Sequence, residues 1–169
     1  FYIRHSMLRG FYCEIEGRDG ISAREAEAIR TRMEELVDAA IPIIRSRVRS
    51  IDAAMEFTRL GFDDKTELLN TRPRLYSTLY SLGDMKGYFY GALAPSTDYI
   101  RLFDIRPYYN GFYVVLPGRS HPDALKPLVA QDKLFDIFHQ YKEWVDIMGV
   151  PTVGRLNAKV LAGDASELI

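Results

Sequence analysis

The residue types that most often bind metals or transfer protons are few in this chain and far apart. Three histidines and one cysteine occur among its 169 residues: His5, His121, His139 and Cys13. Their spacing matches none of the short ligand repeats of zinc sites. Cys13 lies within an apolar run and has no histidine paired with it, which is typical of a packed thiol rather than a nucleophile. The sequence therefore predicts no metal site and no catalytic residue.

Arginines form the strongest candidate binding pattern. They alternate with other residues in two short segments, as Arg45, Arg47 and Arg49 and as Arg72 and Arg74. Alternate side chains of a strand project from one face, and guanidinium groups suit bidentate contacts with phosphate. These arginines are therefore candidates for an anion-binding patch that contacts a nucleotide or an RNA backbone. The competing interpretation, which we favour from the sequence, is a solvated face whose charge is balanced by Glu34, Glu35 and Asp38.

Tyrosines are dense in the second half of the chain. Eight of them fall in predicted strands or next to them: Tyr76, Tyr80, Tyr88, Tyr90, Tyr99, Tyr108, Tyr109 and Tyr113. Such rings can stack on nucleic-acid bases. Packing in the core and between strands is the more common use of tyrosine in a sheet, and it is the interpretation that we favour.

The composition is that of a globular protein. Hydrophobic residues make up 47% of the chain and charged residues 27%, with a net charge of −1. This charge argues against a dedicated nucleic-acid binder, which usually has a basic excess. A single cysteine excludes an internal disulfide and is typical of the reducing cytoplasm. Because no apolar run approaches the roughly 18 residues of a membrane span, we expect a cytoplasmic protein without membrane contact.

Helices are predicted from apolar spacing and from capping signals. Ser22 and Glu25 have the spacing of a capping box, and apolar residues at helical intervals follow until Pro42. Ser50 is predicted to cap a short helix that ends near Gly61. Further helical segments are predicted at 63–70 and 130–148.

Strands are predicted from runs of aromatic and β-branched residues at 11–16, 43–49, 75–82, 87–92, 99–109 and 112–116. Asn110-Gly111 predicts a tight hairpin, because a type I′ turn needs a positive φ at both central positions. The order of the elements predicts an α+β fold, an antiparallel sheet with helices packed on one face. We place one domain at 1–150 and a linker at 151–169.

Several motifs occur in the order found in a known domain. They are Gly10-Phe11-Tyr12, the helix Ser22 to Glu35, Ile41-Pro42-Ile43, Arg45 to Arg49, Ala53 to Gly61 and Pro95-Ser96-Thr97. This order resembles the second additional domain of threonyl- and alanyl-tRNA synthetases. Alignment on Pro95 and Thr97 places the metal-site Cys and His of that family at Phe89 and Leu93. Because neither side chain binds a metal or moves a proton, the resemblance implies the fold without the hydrolytic site.

Residues 103–157, which include YYNGFYVVLPGR and QDKLFDIFHQYKEW, resemble the N-terminal region of bacterial uridine kinase-like nucleoside kinases. That resemblance implies a non-catalytic regulatory or ligand-binding module, with the downstream kinase domain as its partner. ATP and Mg²⁺ would belong to the kinase, because this chain has no GxxxxGK[ST] motif and is expected to hold no cofactor. Since it starts at Phe1, we expect a fragment. The alternatives are an aminoacyl-tRNA editing domain and a tRNA-binding accessory domain.

Overall fold

The structure is a computed structural model that describes residues 1–7, 10–125 and 127–164. The strands are β1 Tyr2–Met7, β2 Gly10–Glu14, β3 Ile43–Arg49, β4 Tyr76–Leu82, β5 Met85–Tyr88, β6 Asp104–Tyr108 and β7 Gly111–Val115. The α-helices are α1 Ala23–Asp38, α2 Ser50–Arg59, α3 Asp63–Asn70, α4 Asp132–Ile147 and α5 Val153–Ala162. All strand pairs are antiparallel, so the predicted α+β class is confirmed. In the part of the chain that is described, no helix is long and apolar enough to cross a membrane.

The chain divides into two compact units, Phe1–Pro42 with Ala94–Ala130, and Ile43–Leu93 with Gln131–Ile169. The first unit holds a four-stranded sheet in the order β1-β2-β7-β6. One face of this sheet packs on α1, where Ala26 meets Cys13, Ile105 and Phe112. The predicted capping box opens α1: Ser22 Oγ accepts from the Glu25 amide at 3.2 Å, and the Ser22 amide donates to the Glu25 carboxylate at 2.8 Å.

The edge strand β1 is absent from the sequence prediction. It pairs with β2 alone, and its register shifts between Ile3 and His5. Its sequence, YIRHSM, mixes polar and apolar residues without the strict alternation that marks a half-buried strand. Pairing with β2 therefore supplies the strand conformation that the local sequence does not indicate.

The hairpin between β6 and β7 differs by one residue from the prediction. Tyr108 pairs with Gly111, so the two loop residues are Tyr109 and Asn110, and Tyr109 has a φ of +47°. Gly111 is instead the first residue of β7. A side chain does not fit there, because a Cβ would lie 2.2 Å from the Cys13 carbonyl oxygen. The glycine thus serves the close approach of two strands rather than the turn.

The predicted strand 99–109 is shorter in the structure. A 3-10 helix, Thr97–Tyr99, precedes β6, which begins only at Asp104. Thr97 is buried; its Oγ1 donates to the Leu36 carbonyl at 2.6 Å and accepts from the Ile41 amide at 2.9 Å. These bonds fix the segment after Pro95 to the end of α1.

The second unit holds a three-stranded sheet in the order β3-β4-β5. Its core contains Leu79 of β4 together with residues of α2 and α3: Ala53, Ala54, Phe57 and Leu69. The prediction that Ser50 caps α2 is wrong. Arg49 holds the cap position, and the buried Ser50 hydroxyl bonds that of Ser77 at 2.8 Å.

Two further segments differ from the prediction. The strand predicted at 87–92 is β5, which ends at Tyr88. The segment predicted as a linker, 151–169, contains α5, which packs on α3 so closely that a Cβ at Gly154 would lie 2.7 Å from the Leu68 nitrogen. Arg155 also pairs with Glu67 at 3.0 Å. Residues 165–169 of the predicted linker lie outside the described part of the chain.

Candidate nucleic-acid interface

The register of β3 and β4 determines which side chains share a face of the three-stranded sheet. Arg45 lies opposite Tyr80, and Arg49 lies opposite Tyr76. Arg47 lies between them, opposite Thr78. Because directly opposed residues of an antiparallel pair project from the same side, one face carries these arginines beside the two tyrosines. We call it the arginine face; it is defined by Arg45, Arg47, Arg49, Tyr76, Thr78 and Tyr80.

The three arginines of this face differ in their partners. Arg49 makes two bonds to the Asp52 carboxylate, at 2.7 and 2.8 Å, and these bonds lower the pKa of Asp52. Arg47 lies 4.6 Å from the centre of the Tyr76 ring. Within the described residues, no carboxylate pairs with Arg45 or Arg47. Two exposed cations therefore remain available to an anion.

Two acidic residues of the competing interpretation, Glu34 and Glu35, pair within their own helix. Glu34 pairs with Arg30 at 3.3 Å, and Glu35 pairs with Arg32 at 2.5 Å, all within α1. Both interpretations of the β3 arginines, an anion-binding patch and a solvated face, stay predictions.

Phe89, at the position of the family Cys, folds back onto its own sheet. A Cβ at Gly87 would lie 2.7 Å from Phe89 Cε2, and the ring meets Tyr80 edge-on with centroids 6.0 Å apart. Tyr80 is buried and donates its hydroxyl to the Gly91 carbonyl at 3.0 Å. Because Gly87 pairs with Tyr80, the Phe89 ring lies beside the arginine face. The ring stays 48% exposed.

Leu93, at the position of the family His, is 38% exposed. The two positions thus hold an aromatic ring and a branched aliphatic side chain at the surface. Throughout the described ranges, no group of three or more His, Cys, Asp or Glu side chains lies close enough to hold a metal ion. The side chains at these positions supply packing surface and no proton donor or ligand atom.

Arg72 does not join the arginine face. The Arg72 guanidinium lies over two rings, 5.6 Å from the centre of Tyr88 and 5.0 Å from that of Tyr90. Tyr88 pairs with Leu79 and packs against the core formed with α2 and α3. The structure therefore separates Arg72 from the three arginines of β3.

The tyrosines divide into packed and exposed rings. Tyr80, Tyr108 and Tyr113 are buried, as the packing interpretation predicts, whereas Tyr76 and Tyr90 are exposed beside arginines. These Arg–Tyr contacts could not be predicted from local sequence, because they depend on the register of β3 with β4 and on the path of the chain after α3.

Cys13 and His5 lie in the first unit. Burial raises the pKa of the Cys13 thiol to about 11, so that it stays protonated at neutral pH. Burial also lowers the pKa of His5, whose ring stacks on Tyr12 with centroids 5.6 Å apart. The packing of Cys13 in the core beside Phe112 agrees with a structural thiol.

Comparison with known proteins gives a consistent set of relatives. No family model matches the chain. It is 31% identical over 97 residues to threonine–tRNA ligase 1 of Bacillus subtilis. The matched region covers 57% of this chain and 15% of the relative. It is 32% identical over 96 residues to the threonine–tRNA ligase of Geobacter sp.; the match again covers 57% of this chain and 15% of the relative. It is 36% identical over 103 residues to the threonine–tRNA ligase of Syntrophotalea carbinolica, and this match covers 61% of this chain and 16% of the relative.

These relatives support the predicted resemblance to a domain of threonyl-tRNA synthetases, and the fold agrees with it. The chain spans about one-sixth of the length of the relatives that it matches. None of the three relatives points to a uridine kinase.

Proposed function

We propose that this chain is a tRNA-binding accessory domain that contacts the tRNA backbone through its arginine face and does not hydrolyse aminoacyl esters. The similarity of more than half of the chain to threonine–tRNA ligases carries the proposal. Arg45 and Arg47 support it, because both are exposed and lack a carboxylate partner among the described residues. Guanidinium groups in this state bind phosphate oxygens well.

The absence of hydrolysis follows from the side chains at Phe89 and Leu93. Ester hydrolysis needs a group that activates water or binds a metal, and neither side chain does so. Cys13 does not replace them, because its thiol is buried and its pKa is raised. In this proposal the domain binds a tRNA and leaves its chemistry to another part of a longer protein.

Binding to tRNA by fluorescence anisotropy at several salt concentrations tests the proposal. Replacing Arg45 and Arg47 together by Gln is expected to weaken binding about tenfold or more and to reduce the salt slope by about 1 per lost phosphate contact. The matched control is Arg59→Gln, which removes another exposed arginine of the same unit, one that pairs with Glu56 at 3.0 Å. Equal affinities of the double variant and the wild type would refute the proposed interface.

The editing alternative is tested with a mischarged tRNA. The accessory-domain proposal expects hydrolysis at the rate of the uncatalysed reaction. Hydrolysis above that background would assign the domain to editing instead.

The uridine kinase module rests on the sequence resemblance of residues 103–157 alone. Under that alternative, the partner is a downstream kinase domain that binds ATP and Mg²⁺. A P-loop motif encoded soon after Ile169, together with uridine phosphorylation by the longer protein, would replace the tRNA proposal by this one.

A further inference from the structure

Arg72 lies apart from the arginine face and makes contacts of a different kind. Most cations of the second unit for which a partner is known pair with a carboxylate: Arg49 with Asp52, Arg59 and Lys86 with Glu56, and Arg155 with Glu67. Arg72 has no such partner among the described residues; its guanidinium lies over the rings of Tyr88 and Tyr90 instead. Its positive charge is therefore held in place but not neutralised.

Contacts with ring faces restrict the Arg72 side chain while leaving its N–H donors unused. A guanidinium has five such donors in its plane, and attraction to a ring face consumes none of them. Immobilising a flexible arginine side chain is one cost of binding an anion, and here the ring contacts already restrict the side chain in the folded state. Arg72 is thus prepared for a phosphate group.

The backbone around Arg72 is also constrained. The Arg74 amide donates to the Arg72 carbonyl at 2.8 Å, a bond across two residues that closes a γ-turn centred on Pro73. The fixed φ of proline suits this turn. The turn draws the backbone of a second arginine, Arg74, close to that of Arg72.

Tyr90 supplies a flat apolar surface at the same place. Its ring is 75% exposed and meets Tyr88 at an interplanar angle of 65°, with centroids 5.2 Å apart. Base-on-aromatic stacking contributes about 1–3 kcal/mol per base in nucleic-acid-binding proteins. From this juxtaposition we infer that Arg72 and Tyr90 bind a nucleotide, with its phosphate on the guanidinium and its base on the ring. The inference does not rest on the proposed tRNA role.

The test is a titration of the whole chain, followed by two-dimensional NMR, with inorganic phosphate and with AMP. AMP is expected to bind more tightly than phosphate, and Arg72→Gln is expected to weaken both about tenfold. Tyr90→Leu is expected to weaken AMP alone. Arg59→Gln serves as the control, since it removes an exposed arginine already bound to Glu56. Unchanged spectra outside the substituted residues show that each variant is folded.

A short RNA with a 5′-phosphate, compared with the same RNA ending in a 5′-hydroxyl, separates a free nucleotide from a strand terminus. Preference for the phosphorylated RNA over AMP, lost in Arg72→Gln, would assign the site to an RNA end. The inference is overturned if neither AMP nor the phosphorylated RNA gives a saturable response by ~10 mM. It is equally overturned if Arg72→Gln binds both like the wild type, whatever the Arg45 and Arg47 variants do to tRNA.

Discussion

Thr97 and Leu36 are joined across 61 residues by a hydrogen bond of 2.6 Å from the Thr97 hydroxyl to the Leu36 carbonyl. The same hydroxyl accepts from the Ile41 amide, so one side chain satisfies two backbone groups near the end of α1. Conserving this arrangement requires both the shape and the polarity of threonine.

Thr97→Val keeps the shape and removes both bonds. We expect it to lower the free energy of unfolding by about 1–3 kcal/mol, because the part-buried Ile41 amide and Leu36 carbonyl each lose their side-chain partner. Urea denaturation measures the loss. Thr58→Val is the matched control: its hydroxyl bonds the Ala54 carbonyl at 2.9 Å from an exposed helical position, and its loss should change stability by less than about 0.5 kcal/mol.

Glu25 stabilises the start of α1 in a way that depends on pH. The Ser22 amide, then Arg18 and the Ser22 hydroxyl, lower the pKa of Glu25 to about 2 from an ordinary value of 4.5. A carboxyl whose pKa is lower in the folded state stabilises the fold at every pH above its unfolded-state pKa. This contribution is lost as the pH falls from the unfolded-state pKa to the folded-state pKa. The stability difference between wild type and Glu25→Gln should therefore be constant above pH 4.5 and shrink toward pH 2. A difference that does not change with pH would contradict this assignment.

Cys13 should react slowly in the folded protein. Its pKa rises from 9.0 to about 11, which lowers the thiolate fraction at pH 8 about 100-fold before burial is considered. The rate of reaction of Cys13 with a disulfide reagent, followed by absorbance, should be at least about 100-fold lower than the rate for glutathione. In urea, which unfolds the protein, the rate should rise to that of an exposed thiol. The raised pKa also means that a small stabilisation, complete below pH 9, is lost as pH rises toward 11. A native rate equal to that of glutathione would exclude a buried thiol.

Gly154→Ala tests whether α5 belongs to the second unit. The new Cβ would lie 2.7 Å from the Leu68 nitrogen, a backbone atom that cannot move aside without shifting α3. We expect a loss of about 1–3 kcal/mol in the free energy of unfolding, as for other overpacked sites. Gly91→Ala is the control, because nothing lies within 4 Å of its added Cβ. If α5 were a detached linker, both substitutions would be equally neutral.

Local signals were sufficient for much of the fold. The capping box of Ser22 and Glu25 and the strand Ile43–Arg49 were predicted from residues adjacent in sequence, and the structure contains both. Features set by distant partners were not predictable in this way. Gly111 resembles a turn glycine in sequence, but its role comes from the Cys13 carbonyl across the sheet.

The candidate site shows the same division. Alternation along β3 was sufficient to place Arg45, Arg47 and Arg49 on one face. The alternation could not show that Arg49 would form an ion pair with Asp52, because that pairing depends on where α2 begins. The alternation also could not separate Arg72 from this face. Tyr88 and Tyr90 contact Arg72 only because the β4–β5 hairpin brings them to it.

The irregular register of β1 has a consequence for how this molecule behaves at high concentration. A regular edge strand offers a row of free backbone donors and acceptors to which another molecule can add a strand. The shift between Ile3 and His5 interrupts that row, and the charged pair Arg4–Glu14, with 2.7 Å between Nε and Oε2, lies at the same place. Such a bulge twists the edge locally. The β1 edge of the four-stranded sheet is therefore a poor template for growth into fibrils, even though aromatic residues are plentiful in the strands behind it.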